Sequence, residues 1–132
     1  MMTKTKKIVI KTDKAPQALG PYSAGIKYAN LIFTAGQLGI DPQTNDLVSG
    51  GIEAETRQAI MNIKSILEEA NSAIDNVLKT TVFLRDINDF AKMNSVYAEF
   101  FIDNPPARSA FQVAALPKGA SVEIETIASI AD

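Results

Sequence analysis

At 132 residues the chain is long enough to bury a core and fold as one domain without staples, and 46% hydrophobic against 21% charged residues is a globular rather than a disordered balance. A net charge of −2 and a pI near 5.1 leave no broad basic field for phosphate backbones, and no apolar run approaches the roughly 18 residues of a membrane span. The absence of both cysteine and histidine excludes disulfides, thiolate nucleophiles, imidazole bases, the usual serine triad and sulfur- or imidazole-ligated metals, so any catalysis falls to carboxylates, lysine, tyrosine, arginine or backbone groups.

In chain order, an N-terminal tail expected to fray leads into "KKIVIKT", a β-branched first strand too short for a secretory core, so a cytoplasmic protein is expected. "DKAPQALGPYSAG" reads as loop, and "AGIKYANLIFTAGQ" as two short strands in a hairpin about Ala29 and Asn30. The turn-rich "LGIDPQTNDLVSGG" invites a calcium-loop reading that its spacing defeats, since Asp46 stands where glycine is needed and Ile52 where glutamate is needed. From residue 52 to about 70 the period becomes helical, with Ile52, Thr56, Ala59, Ile60, Ile63, Ile66, Leu67 and Ala70 on one face. "NVLKTTVFLRD" is apolar on both sides and reads as a central strand. A second helix follows in "INDFAKMNSVYAEFF", with Asn88 as N-cap and Phe90, Met93, Tyr97 and Phe100 as its buried stripe. "ARSAFQVAAL" and "SVEIETIASI" are the last strands. The expected class is α+β: one mixed sheet with two helices on one face, in a single domain over residues 1–132. The uncovered face carries small, mixed and apolar residues, which predicts contact with other chains and hence an oligomer.

Two residues stand out chemically. Arg108 follows "NPP" at the mouth of a strand; it reads either as half of a surface salt bridge or as a planar fork for a substrate carboxylate, a geometry lysine does not copy. Glu123 in "VEIET" reads either as the solvated side of a strand or, if covered by another subunit, as a carboxyl whose pKa burial raises toward working pH for general acid/base work. Were the last two strands a simple hairpin, Arg108 would face Ala128 and Glu123 would lie about five residues, or roughly 16 Å, away. Either the strands are not neighbours, or the site is assembled from two chains.

The block "PPARSAFQVAALPKGASVEIETIA" closely resembles the signature of the RidA (reactive intermediate deaminase) family, and "APQALGPYSAGI", "LIFTAGQLGIDPQT" and "LKTTVFLRDINDFAKMNSVYAEFF" follow in that family's order. The resemblance spans nearly the whole chain. It implies a fold like bacterial chorismate mutase, with the final strand inserted away from the arginine strand, and a homotrimer with clefts between subunits. It also implies hydrolysis of 2-aminoacrylate, 2-iminopropanoate and related 2-imino acids to 2-oxo acids and ammonia, chemistry that needs no cofactor. A ribonuclease reading has been attached to members of the family, but the acidic pI and the lack of a basic, aromatic-rich stripe argue against a nucleic-acid partner, and neither a membrane partner nor a metal is expected. Carried over, Arg108 clamps the carboxylate, Glu123 activates water, and Tyr22 supplies a phenol donor. Asn94 lies near the site, and Gly36 offers backbone amides where a side chain would obstruct. Ala110 and Ala35 line the pocket at positions where several members carry cysteine and many carry serine, respectively; the missing serine hydroxyl leaves the preferred imine open. The competing reading is a trimeric module that binds 2-oxo acids without turnover, for which Glu123 would have no use.

Overall fold

The protein is described by a computed structural model covering residues 5–130. The first four residues, on which much of the expected fraying falls, lie outside that range. The strands are β1 (Ile8–Ile10), β2 (Gly25–Tyr28), β3 (Leu31–Thr34), β4 (Gln37–Leu38), β5 (Val77–Leu84), β6 (Ala107–Gln112) and β7 (Val122–Ser129), with helices α1 (Gly51–Glu69) and α2 (Phe90–Phe100). The class is α+β, one mixed sheet with two helices.

The expected hairpin forms, with Tyr28 opposite Leu31 and Ala29 at φ 54 in its two-residue turn. The sheet order is β1-β2-β3-β7-β5-β6, and β4 also pairs with β7. β5 is central, parallel to β6 through the α2 crossover and antiparallel to β7. The last two strands are therefore not neighbours: β5 separates them. β3 and β4 lie in succession along one edge of β7, where β3 meets residues 127–129 and β4 meets Ile124 and Glu123.

Strand parity sets what each face carries. Val122, Ile124, Thr126 and Ala128 of β7 are buried beneath the helices, as are Thr80, Val82 and Leu84 of β5. The helix α1 buries the whole apolar stripe expected of it, and each fully buried Ile or Leu of that stripe contributes about 1.5–3 kcal/mol. Asn71, at φ 60, stops the helix, and Ser72 N–H turns back to the Leu67 carbonyl.

Three details depart from expectation. Asn88 is not the cap of α2; the Asp86 carboxylate accepts the Asn88 N–H at 2.9 Å and caps a short 3-10 turn (Ile87–Asp89) that leads into the helix. Val96 is buried with Met93 and Tyr97, whereas Phe90 and Phe100 are half-buried at the core's margin. On α1, Glu55 and Asn62 join the buried face, reaching backbone groups rather than water. Among the described residues no helix is long and apolar enough to cross a membrane.

The short β4 passes close to α1. A Cβ on Gly39 would fall 2.5 Å from the Glu55 Cα, against backbone that has no room to yield. Gly39→Ala is expected to cost about 1–3 kcal/mol in a urea unfolding curve, as overpacking of a close element contact does. An unchanged midpoint would show that β4 has slack.

Candidate functional site

Arg108 enters β6 opposite Thr80, on the helix side of the sheet. Its Nη1 donates to Asn94 Oδ1 at 2.8 Å, and its guanidinium lies 4.7 Å from the centroid of the Tyr97 ring and 5.4 Å from that of Phe90. Tyr97 is itself fixed by a 2.7 Å hydrogen bond between its hydroxyl and Thr80. Burial raises the Tyr97 pKa against the opposing pull of that bond and of the Arg108 charge, so the phenol stays protonated and the ring stays a neutral stacking surface.

No carboxylate lies within ion-pair distance of Arg108 among the described residues; the one salt bridge there joins Arg57 to Glu99. The surface-salt-bridge reading of Arg108 therefore fails within the chain. One amide and two rings hold the fork, and its remaining donors are unspent. With Pro105, Pro106, Tyr97 and Phe101 it lines a shallow cleft of about 440 Å³.

Glu123 points the other way. It alternates with buried Val122 and Ile124, so it stands on the open face, half-buried, opposite Phe83. A cleft of about 540 Å³ surrounds it, with Tyr22, Ala35, Gly36, Gln37 and Lys118 in its walls and apolar surface from Leu19, Leu38 and Ile40. Burial pushes the Glu123 carboxyl above the usual glutamate range, and the nearby Glu125 charge adds to the rise.

Gly36 is what lets the carboxyl sit there. A Cβ at that position would lie 2.5 Å from Glu123 Oε1 and 2.8 Å from its carboxyl carbon. The bend at Ala35 and Gly36, between β3 and β4, thus makes room for an acid rather than only easing the chain's path. Ala35 is tied in by its N–H to the Ala24 carbonyl at 2.8 Å.

The residues singled out in the sequence divide into two groups. Glu123, Tyr22, Ala35 and Gly36 share one cleft, and Arg108 and Asn94 share the other. Ala110 lines neither; it pairs with Val82 and packs against the core on the helix side. No residue is common to the two linings, and the sheet itself lies between them. The clefts are two strands apart laterally and three residues apart along the strands, roughly 10 Å in each direction. Within one chain, then, the fork and the acid do not meet. Among the described residues no cluster of three or more acidic side chains is placed to hold a metal ion.

Two contributors escaped the sequence reading. Tyr97 reads in the sequence as core packing, yet its ring also carries Arg108; its spacing three residues after Asn94 on one helix is the available signal. Lys118 carried none. Its left-handed φ of 58 and its 3.1 Å bond to the Asn45 carbonyl, which tie two loops into the wall beside Glu123, arise only in the folded chain.

The family model described as Endoribonuclease L-PSP matches residues 12–130. A RutC family protein of Pyrococcus abyssi is 53% identical over 92% of this chain and 96% of its own. The human 2-iminobutanoate/2-iminopropanoate deaminase is 51% identical over 91% of this chain and 88% of its own. Among solved structures, RidA from an Antarctic Psychrobacter superposes with a TM-score of 0.90 at 46% identity, covering 93% of this chain and 99% of that one.

Gly36→Ala tests the seating of the acid. The added methyl meets a flexible side-chain end, so the fold is expected to persist while the carboxyl swings into solvent. A 13C titration of the Glu123 side chain should then show its pKa falling toward the ordinary glutamate value of 4.5. An unmoved titration would mean that Gly36 does not seat the acid.

Proposed function

This chain belongs to the RidA family, whose model bears the endoribonuclease L-PSP description, and on that footing we propose that it is a hydrolytic deaminase of reactive 2-imino acids. The carrying observation is the Glu123 carboxyl, raised in pKa within a largely apolar cleft of a chain that has no histidine or cysteine. A module that only captured anions would gain nothing from that group.

The proposed substrates are 2-iminopropanoate, its enamine tautomer 2-aminoacrylate, and related 2-imino acids. Arg108 takes the carboxylate with two parallel hydrogen bonds, already oriented by Asn94, Tyr97 and Phe90. The Glu123 carboxylate accepts a proton from water as the water oxygen bonds to the imine carbon. The same carboxyl returns that proton to the nitrogen, giving a neutral carbinolamine; it then takes the adduct's hydroxyl proton and passes it to the nitrogen, so that the carbonyl forms as the C–N bond breaks and ammonia and the 2-oxo acid leave. Tyr22, at the rim, offers a phenol to the adduct. An imine conjugated to a carboxylate is already electrophilic, so positioning and one proton shuttle suffice without a cofactor.

Bringing Arg108 to Glu123 needs a second copy of the chain, and we propose a homotrimer with the catalytic cleft between neighbours. The exposed apolar side chains Phe33 and Phe111 on the open face, with Phe83 packed edge-on to Phe111 at 5.3 Å, are suitable surface for that contact. A ribonuclease reading, which the family description invites, is disfavoured by the acidic pI and by the single lysine in the Glu123 cleft.

The direct test supplies 2-aminoacrylate from a serine dehydratase and follows pyruvate release. Wild-type protein should accelerate release, and Glu123→Gln should abolish the gain; binding of 2-oxo acid with no acceleration would leave the capture reading. The acid limb of kcat/KM should have its midpoint above pH 4.5, because the base must be ionised and its pKa is raised. Arg108→Lys keeps the charge but loses the fork and is expected to lower kcat/KM by more than about tenfold; a loss under about threefold would remove Arg108 from the clamp.

Subunit sharing has its own signature. Arg108→Ala and Glu123→Ala proteins, each inactive alone, should regain activity when their subunits are exchanged, since about one cleft in four is then intact at equal mixing. No recovery after verified exchange would place both groups in one chain's site and refute the shared cleft.

A further inference from the structure

Two buried polar side chains of α1 take no part in the apolar core. Glu55 is 6% exposed and Asn62 1%. Glu55 Oε1 accepts the backbone N–H of Ser121 at 2.8 Å, and Ser121 lies two residues before Glu123. Asn62 Nδ2 donates to the carbonyls of Leu38 and Ile40 at 3.2 and 2.9 Å, while its Oδ1 accepts from Gln58 Nε2 at 2.9 Å. All three of its main hydrogen-bonding directions are therefore used.

These contacts converge on the surroundings of one carboxyl. Leu38 is the Cα partner of Glu123 across β4 and β7, and Gly36, against which the Glu123 carboxyl rests, lies just before β4. β4 has two residues and pairs only with β7, so its own ladder holds it weakly. Asn62 supplies the second anchor. Arg85 steadies the same corner, donating to the Gly119 carbonyl at 2.7 Å and to Ser121 Oγ at 3.3 Å. An apolar side chain in place of Asn62 or Glu55 would fill the space but leave the Leu38 and Ile40 carbonyls, or the Ser121 N–H, without that partner. What the polar pair adds is a fixed position for backbone on both sides of Glu123.

We propose that Glu55 and Asn62 are positioning residues that lock residues 36–40 and the head of β7 together, so that the Glu123 carboxyl is held against Gly36 and sheltered from water. The inference rests on the reading of Glu123 as the acid/base, but its first readout does not require turnover.

The full chain, carrying 13C-labelled glutamate, is titrated with Glu123→Gln as the assignment control. In Asn62→Ala and in Glu55→Ala the segment loosens, water reaches the carboxyl, and the Glu123 midpoint moves down from the wild-type value. Glu55→Gln keeps an acceptor for the Ser121 N–H and should restore the wild-type midpoint. In the imine assay the two alanine variants should lose about tenfold in kcat with KM changed by less than about twofold, the pattern of a misplaced reacting group rather than lost binding. Their acid limb should shift to lower pH in step with the titration.

Gln58→Ala provides a milder variant, since it removes only the bond that orients the Asn62 amide; its midpoint should move in the same direction by less. If the folded variants melt earlier but keep the wild-type Glu123 midpoint and kcat, the pair is structural and the proposal falls. Should the alanine variants not fold, an unmoved midpoint in Gln58→Ala overturns it equally. A wild-type protein without hydrolytic activity would sink the deaminase reading, while the titration would still decide the positioning role.

Discussion

Everything chemical in this molecule follows from the position of β5 between β6 and β7. Side chains alternate across a sheet with a period of two, so register decides which face a residue serves. Arg108 is level with Thr80 and shares its side, facing α2; Glu123 is level with Phe83 and faces away from the helices. A shift of one residue in either pairing would carry its charged group to the other face, and with it bury a glutamate or expose an isoleucine. The apolar pattern of β7 forbids that shift, because Val122, Ile124, Thr126 and Ala128 are all buried. The core thus fixes the parity of the site.

The two charged groups are held by opposite strategies. Arg108 is held in orientation: an amide takes one donor, two rings flank the guanidinium, and the remaining donors are unspent. Glu123 is kept adjustable: an apolar cleft penalises its charge, and Gly36 removes the one methyl that would evict it. The first arrangement suits a group that binds a fixed anion. The second suits one that must change charge during a cycle.

Much of this was legible in the sequence, for identifiable reasons. The apolar stripe of α1, the Ala29–Asn30 turn and the inward set of β7 each follow from local periodicity or turn chemistry, and they form as read. Strand order was not legible, because alternation says which side a residue faces and nothing about which strand lies beside it. β4 is invisible in the sequence because two residues carry no period. Glu55 and Asn62 give no signal, since a glutamate and an asparagine on a helix ordinarily face water; Gly39 and Ser121 close over the first, and the Leu38 and Ile40 carbonyls engage the second, all distant in sequence. Arg108 and Glu123 could be picked out because the chain lacks the usual catalytic residues, and because the resemblance to a family supplied their roles. Ala110 enters the pocket on that resemblance alone; within one chain the two-residue step from Arg108 keeps it on the helix side, packed against the core.

In the assembly proposed above, the contact that completes the site also tunes it. A neighbour covering the open face would take more water from Glu123, raising its pKa further; the same neighbour would bring its guanidinium toward the cleft, lowering it. The two effects oppose each other and depend on the same approach distance. Substrate would enter that balance as an anion, neutralising the arginine and so letting desolvation prevail. The carboxyl would then be more basic with substrate bound than without it, at the moment when a proton must be drawn from water. A glutamate whose ionisation was fixed by a permanent ion pair within its own chain could not respond in that way, and the geometry that separates Arg108 from Glu123 in one chain is what prevents such a pair from forming.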